Sequence, residues 1–124
     1  MQPVLIDSSA WIGFLRDSRI STVADQVEHC LKAHSAALCP VAWMELHRSA
    51  QGKRELAELE NLRQICLWLE IDSVAWEAAA ELSRKARMKG LNCPMADVLI
   101  AACAKRHGVA LLHQDKHLVA LMKL

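Results

Sequence analysis

The sequence lacks most features that would place it in a specialised class. It has no C-x-x-C pair, and its five cysteines are odd in number. Such a set argues against a disulfide framework or a zinc site and fits a reducing cytosol. Neither sign of charge is in excess, since the formal net charge is +1 at pH 7. No basic footprint therefore advertises a nucleic-acid partner, although a site that works through metal ions does not need one. No apolar run reaches the length of a membrane span, and the first residues carry no basic stretch leading into a long apolar one. A soluble, cytoplasmic protein with no membrane association is the expectation. Internal repeats and low-complexity segments are absent as well.

What is present is apolar material. Hydrophobic residues make up 53% of the 124 positions, enough for one domain over residues 1–124 with a large core. Short apolar runs alternate with helical patterns. "PVLI", "AALC", "LWLEI" and "VALLH" read as strands. "SSAWIGFLR", "ISTVADQVEHCLKAH" and "KRELAELENLRQIC" read as helices. Pro40 opens the helix "PVAWMELHRSAQG", which Gly52 ends, and Ser73 caps "VAWEAAAELSRKARMKG", which stops at Gly90. Pro94 opens "PMADVLIAACAKRHG", closed by Gly108, and "DKHLVALMKL" is the last helix. Strands separated by helices predict right-handed crossovers and a mostly parallel sheet with helices on both faces. Ligand sites in such sheets lie outside the carboxyl ends of the strands.

One detail does not fit a plain buried strand. Val4, Leu5 and Ile6 run straight into Asp7, and an ionised carboxylate is costly to desolvate without a partner. Asp7 either caps the next helix or faces something cationic. Three further acids fall near strand ends: Glu45 in the second turn of the Pro40 helix, Asp97 in the first turn of the Pro94 helix, and Asp115 just after the fourth strand. Singly, each has a plain structural role. Glu45 can lie along the surface, Asp97 can favour a helix N-terminal dipole, and Asp115 can cap the last helix. Together, four segments bring acids toward one edge of the sheet. Two carboxylates about 5 Å apart repel by roughly 3 kcal/mol at an effective dielectric near 20. Such a cluster takes up protons or recruits a cation. Oxygen-only ligation suits Mg²⁺ or Mn²⁺, and carboxylate-held divalent ions serve in phosphodiester cleavage.

Three stretches, "VLIDSSAWIGFLR", "CPVAWMELHRSAQG" and "CPMADVLIAACAKRHGVALLHQDKHL", resemble the successive motifs of PIN-domain ribonucleases, and most those of the VapC toxins of bacterial toxin–antitoxin pairs. Asp7, Glu45, Asp97 and Asp115 match the family's acidic positions in order, with Ser9 at its small hydroxyl position. The resemblance spans essentially the whole chain, and Asp97 through Asp115 is its most specific part. It implies a single PIN domain with a three-layer α/β/α sandwich and a mostly parallel sheet of four or five strands. It also implies an endonuclease that depends on Mg²⁺ or Mn²⁺, with the four acids as catalytic metal ligands and Ser9 ordering Asp7 or touching substrate. The implied substrate is structured RNA, tRNA or rRNA, cut so that translation is inhibited. The implied partners are a cognate VapB-type antitoxin and a second copy of the chain. The antitoxin tail is expected to present an Arg to the carboxylates and to pack apolar residues near Trp11 and Phe14. The chain departs from many relatives in having His117 and Leu118 where they carry an acid and an aromatic.

The remaining features weigh less. His113 and His117 in "HQDKH" have the spacing of a zinc motif, but Gln114 stands where the catalytic Glu would be. Trp43, Trp68 and Trp76 read as packing residues, one of them at a dimer contact. Arg84, Lys85, Arg87 and Lys89 form a basic helix end, as do Lys105 and Arg106, and cations are favoured there without any RNA contact. Two other function classes compete. A phosphoryl-transfer enzyme with a strand-end Asp would want D-x-D, and Ser9 replaces the second Asp. A catalytically silent binding module on the same fold has no need of all four carboxylates.

Overall fold

The computed structural model describes residues 2–16 and 22–124. In chain order the elements are β1 (Val4–Ile6), α1 (Ser8–Arg16), α2 (Thr22–Lys32), β2 (Ala36–Leu38), α3 (Pro40–Ser49), α4 (Lys53–Ile65), β3 (Leu67–Trp68), α5 (Ser73–Met88), α6 (Met95–His107), β4 (Ala110–Leu112) and α7 (Lys116–Met122). Residues 20 and 21, with which the sequence pattern begins the second helix, lie outside the described residues.

The strands form one parallel sheet in the order β3-β2-β1-β4. Side chains alternate across a strand, and β1 shows what that does here. Leu5 belongs to a core with Ile100, Cys103, Leu118 and Leu121 of α6 and α7. Ile6 belongs to another with Trp11, Val27 and Leu46 of α1, α2 and α3. The sheet thus separates two helical layers, the α/β/α arrangement expected from the alternating pattern. The chain grows outward from β1 through β2 to β3, then returns to place β4 on the other side of β1. In an open α/β sheet such a reversal is where a ligand crevice is expected, and here it falls at the carboxyl end of β1, where Asp7 sits.

Local signals account for most boundaries. Pro40 is the first residue of α3, where its missing N–H costs nothing. Gly108 ends α6 at φ 65°, a left-handed conformation that favours glycine. Three expected boundaries differ. Gly52 does not end α3, which stops at Ser49; it precedes α4 at φ 92°. Pro94 stands just before α6 rather than inside it. Asp72, not Ser73, caps α5, because its Oδ1 accepts the Ala75 N–H at 2.9 Å. Asp72 also meets Arg106 at 3.1 Å, which gives this basic helix end an acidic partner. Asp72→Ala is accordingly expected to lower the urea midpoint, whereas Ser73→Ala leaves it within error of the wild type. Equal effects of the two substitutions would contradict the assigned cap.

The tryptophans divide. Trp11 is fully buried. Trp43 and Trp68 hold the Arg63 guanidinium at 5.1 and 4.3 Å from their ring centres. Trp76 is not a packing residue, being 55% exposed on α5. All five cysteines are free thiols. Among the described residues, no helix is long and apolar enough to cross a membrane.

Candidate active site

Asp7 answers to both roles its position allows. Its N–H donates to the Leu112 carbonyl at 2.9 Å, continuing the β1–β4 ladder, and its own carbonyl accepts from Ala10 and Trp11 at the start of α1. Oδ2 takes the Ser9 N–H at 3.2 Å and the Ser9 hydroxyl at 2.6 Å. One carboxylate oxygen therefore caps α1. The other, Oδ1, is buried without a hydrogen-bond partner, on a residue only 3% exposed. Such an atom is rare in a folded protein because it forfeits its hydration. Ser9 Oγ also accepts the Gln114 N–H at 3.0 Å. A single hydroxyl thus joins the exit of β1 to the exit of β4.

Glu45 reaches the same edge from α3. Ser8 Oγ donates to its Oε1 at 2.9 Å, and the side chain lies partly inside rather than free on the surface. Burial raises its pKa, as do the charges of Asp7 and Asp115, while the Ser8 hydrogen bond and Arg48 oppose the rise. Sequence patterning singles out Ser9 and overlooks Ser8. The signal lay in the paired serines after Asp7, but its meaning depends on α1 and α3 packing side by side.

Asp97, in the first turn of α6, is buried, and its pKa is pushed up to about 6. Burial is the largest cause, followed by the charges of Asp115, Asp7 and Glu45. Asp97 therefore feels the charge of each of the other three acids, and Glu45 feels Asp7 and Asp115 as well. Asp115 caps α7 through Oδ1, which accepts the His117 N–H at 2.7 Å, and its own N–H donates to His113 Nδ1 at 3.2 Å. His117, about a third exposed, presents its ring to the acids. Its Nδ1 lies 3.2 Å from Asp115 Oδ1 and 3.6 Å from Asp97 Oδ2. Asp97, Asp115 and His117 each present a donor atom within 4.8 Å of the others. The bare Asp7 oxygen and the mutual repulsion fit a divalent cation held mainly by carboxylates.

A parallel sheet with acids at the carboxyl edge of its central strands is the arrangement of a known nuclease fold. The sequence profile of the PIN domain matches residues 4–123, and the chain belongs to the PIN-domain family. Within that family it is 34% identical over 116 residues to ribonuclease VapC11 of Mycobacterium tuberculosis, covering 90% of this chain and 86% of the relative. It superposes on DNA-bound VapBC from Salmonella typhimurium with a TM-score of 0.73 at 19% identity, covering 90% of this chain and 83% of that one. For VapBC-5 of Mycobacterium tuberculosis the TM-score is 0.69 at 23% identity, with 98% and 91% covered.

Proposed function

We propose that this chain is a metal-dependent endoribonuclease, the toxin of a type II toxin–antitoxin pair, built as a single PIN domain over residues 1–124. The observation that carries the reading is the buried, unpartnered Oδ1 of Asp7 among acids that repel one another. The 34% identity to ribonuclease VapC11 supports RNA as the substrate class. Asp7, Glu45, Asp97 and Asp115 would hold Mg²⁺ or Mn²⁺. When bound, the ion would supply Lewis-acid activation of water and neutralisation of charge on the scissile phosphate. The chain's own residues do the positioning. Ser9 fixes Asp7 through Oδ2 and leaves Oδ1 unbonded, and Ser8 fixes Glu45. The N-terminus of α6 lies at the same edge and favours phosphate oxygens.

The substrate is structured RNA, tRNA or rRNA, whose loss stops translation in the cytoplasm. Control falls to a VapB-type antitoxin whose Arg pairs with the acidic edge, a geometry that suits a bidentate guanidinium. The tail's apolar residues pack near Trp11 and Phe14, with Phe14 as the accessible member, since Trp11 is fully buried. Phe14 is half-buried on the same helix, and Ile12 and Leu15 line a groove shared with Arg16, Arg54, Glu55 and Glu58. The exposed α5 face around Trp76 supports a homodimer.

The test is end-labelled cellular RNA incubated with the purified protein and Mg²⁺ or Mn²⁺, with EDTA as control. Products should carry a 3′-hydroxyl and a 5′-phosphate, because water attacks phosphorus without help from the 2′-hydroxyl. Cutting that survives EDTA, or ends bearing a 2′,3′-cyclic phosphate, would refute the mechanism.

A further inference from the structure

We propose that His117 is a nitrogen ligand of the metal centre and that it biases the site toward Mn²⁺ and other transition ions over Mg²⁺. This rests on the metal-dependent reading above and adds a donor that an all-carboxylate centre does not have. A single nitrogen, Nδ1, faces two carboxylate oxygens, at 3.2 Å from Asp115 and 3.6 Å from Asp97. Ligands about 2.1 Å from an octahedral ion stand about 3 Å from their neighbours. The observed spacings are those of adjacent donors opened by a few tenths of an ångström. The three donors come from α6, the segment after β4, and the first turn of α7. The backbone holds the ring in place, since the His117 N–H is bound to Asp115 Oδ1 at 2.7 Å.

A second observation points to a cation at the same sheet edge independently of the histidine. Asp7 Oδ1 is buried and bare, on a residue 3% exposed whose charge is felt at Asp97. Asp7 stands at the exit of β1, next to rather than among the three donors that lie within 4.8 Å of one another. Imidazole is a borderline ligand. It suits Mn²⁺, Fe²⁺, Co²⁺ and Zn²⁺, whereas Mg²⁺ prefers oxygen alone and gives up its waters reluctantly. Replacing one oxygen donor by this nitrogen therefore weakens Mg²⁺ more than it weakens Mn²⁺.

The experiment is pulsed electron paramagnetic resonance of the full chain loaded with Mn²⁺, alongside competition between Mn²⁺ and Mg²⁺. Bound Mn²⁺ should show the coupling of a directly coordinated ¹⁴N nucleus. That coupling should become a ¹⁵N coupling when the histidines alone are ¹⁵N-labelled, a change that leaves the fold untouched. It should vanish in His117→Asn. His117→Asp, which restores an oxygen donor, should lower the Mn²⁺-over-Mg²⁺ affinity ratio about tenfold. Bound Mn²⁺ with no nitrogen coupling would overturn the proposal while leaving a carboxylate-held ion in place. A coupling that persists in His117→Asn would overturn the assignment to this residue. No bound Mn²⁺ at millimolar concentration would overturn the metal-dependent reading itself.

Discussion

Asp7→Asn is expected to lower RNA cleavage by about three orders of magnitude without loss of fold. Charge stabilisation by a held metal ion is worth several kcal/mol in the transition state, and about 4 kcal/mol corresponds to about a thousandfold. The amide keeps the carboxylate's size. Its oxygen can go on accepting from Ser9, so the start of α1 is preserved. Its NH₂ takes the place of the bare Oδ1 and removes one of the charges that Asp97 and Glu45 feel. In metal-free buffer the melting temperature should therefore stay level or rise, the usual signature of a site that gives up stability for function. A variant that loses both activity and several degrees of stability would show that Asp7 is needed only as a cap.

The second large effect is a pH dependence of the metal-free protein. Asp97 titrates near 3.8 in the unfolded chain and at about 6 in the folded one. The folded state holds this proton more tightly. The stability that the group contributes is complete below the unfolded pKa and is lost as pH rises through the folded one, a loss of a few kcal/mol by pH 7. Burial of the side chain, 11% exposed, leaves little room for solvent screening. Asp97→Asn cannot titrate. Without metal it should match the wild type near pH 4 and exceed its melting temperature by at least about 5 °C near pH 7. Saturating Mn²⁺ should reverse the order at pH 7, because the ion stabilises the ionised wild-type cluster and binds the variant more weakly. A difference between the two proteins that is flat with pH in metal-free buffer would mean that burial and the neighbouring acids do not raise the Asp97 pKa.

How far these residues were readable in the sequence depended on the range over which each is fixed. Asp7 was legible because it interrupts a run of apolar residues, and local geometry explains half of it, the oxygen that caps α1. The other half, the bare oxygen, has no local signature, because its burial depends on elements distant in sequence. The Ser8–Glu45 bond joins residues 37 apart, so no local pattern announces it. His117 was legible as a departure from a motif but not as part of the cluster. Its place beside Asp115 accompanies the cap that Asp115 makes on α7. Asp72 and Ser73 are both good caps, and the choice between them is made by the Ala75 N–H, with Arg106 on the neighbouring helix also meeting Asp72. For Trp76 the helical spacing defines a face of α5, yet spacing alone does not say whether anything covers it. The third strand is shorter than its apolar run because it lies at the sheet edge, where Leu67 is 44% exposed and only β2 pairs with it.

The most direct test of the account is anomalous diffraction from crystals of the wild-type chain grown or soaked in Mn²⁺. The account predicts an anomalous peak in the crevice at the end of β1, bonded to Asp7 Oδ1 and to at least one of Glu45, Asp97 and Asp115. Mn²⁺ found only elsewhere, with Asp7 Oδ1 still bare beside its three acidic neighbours, would contradict it.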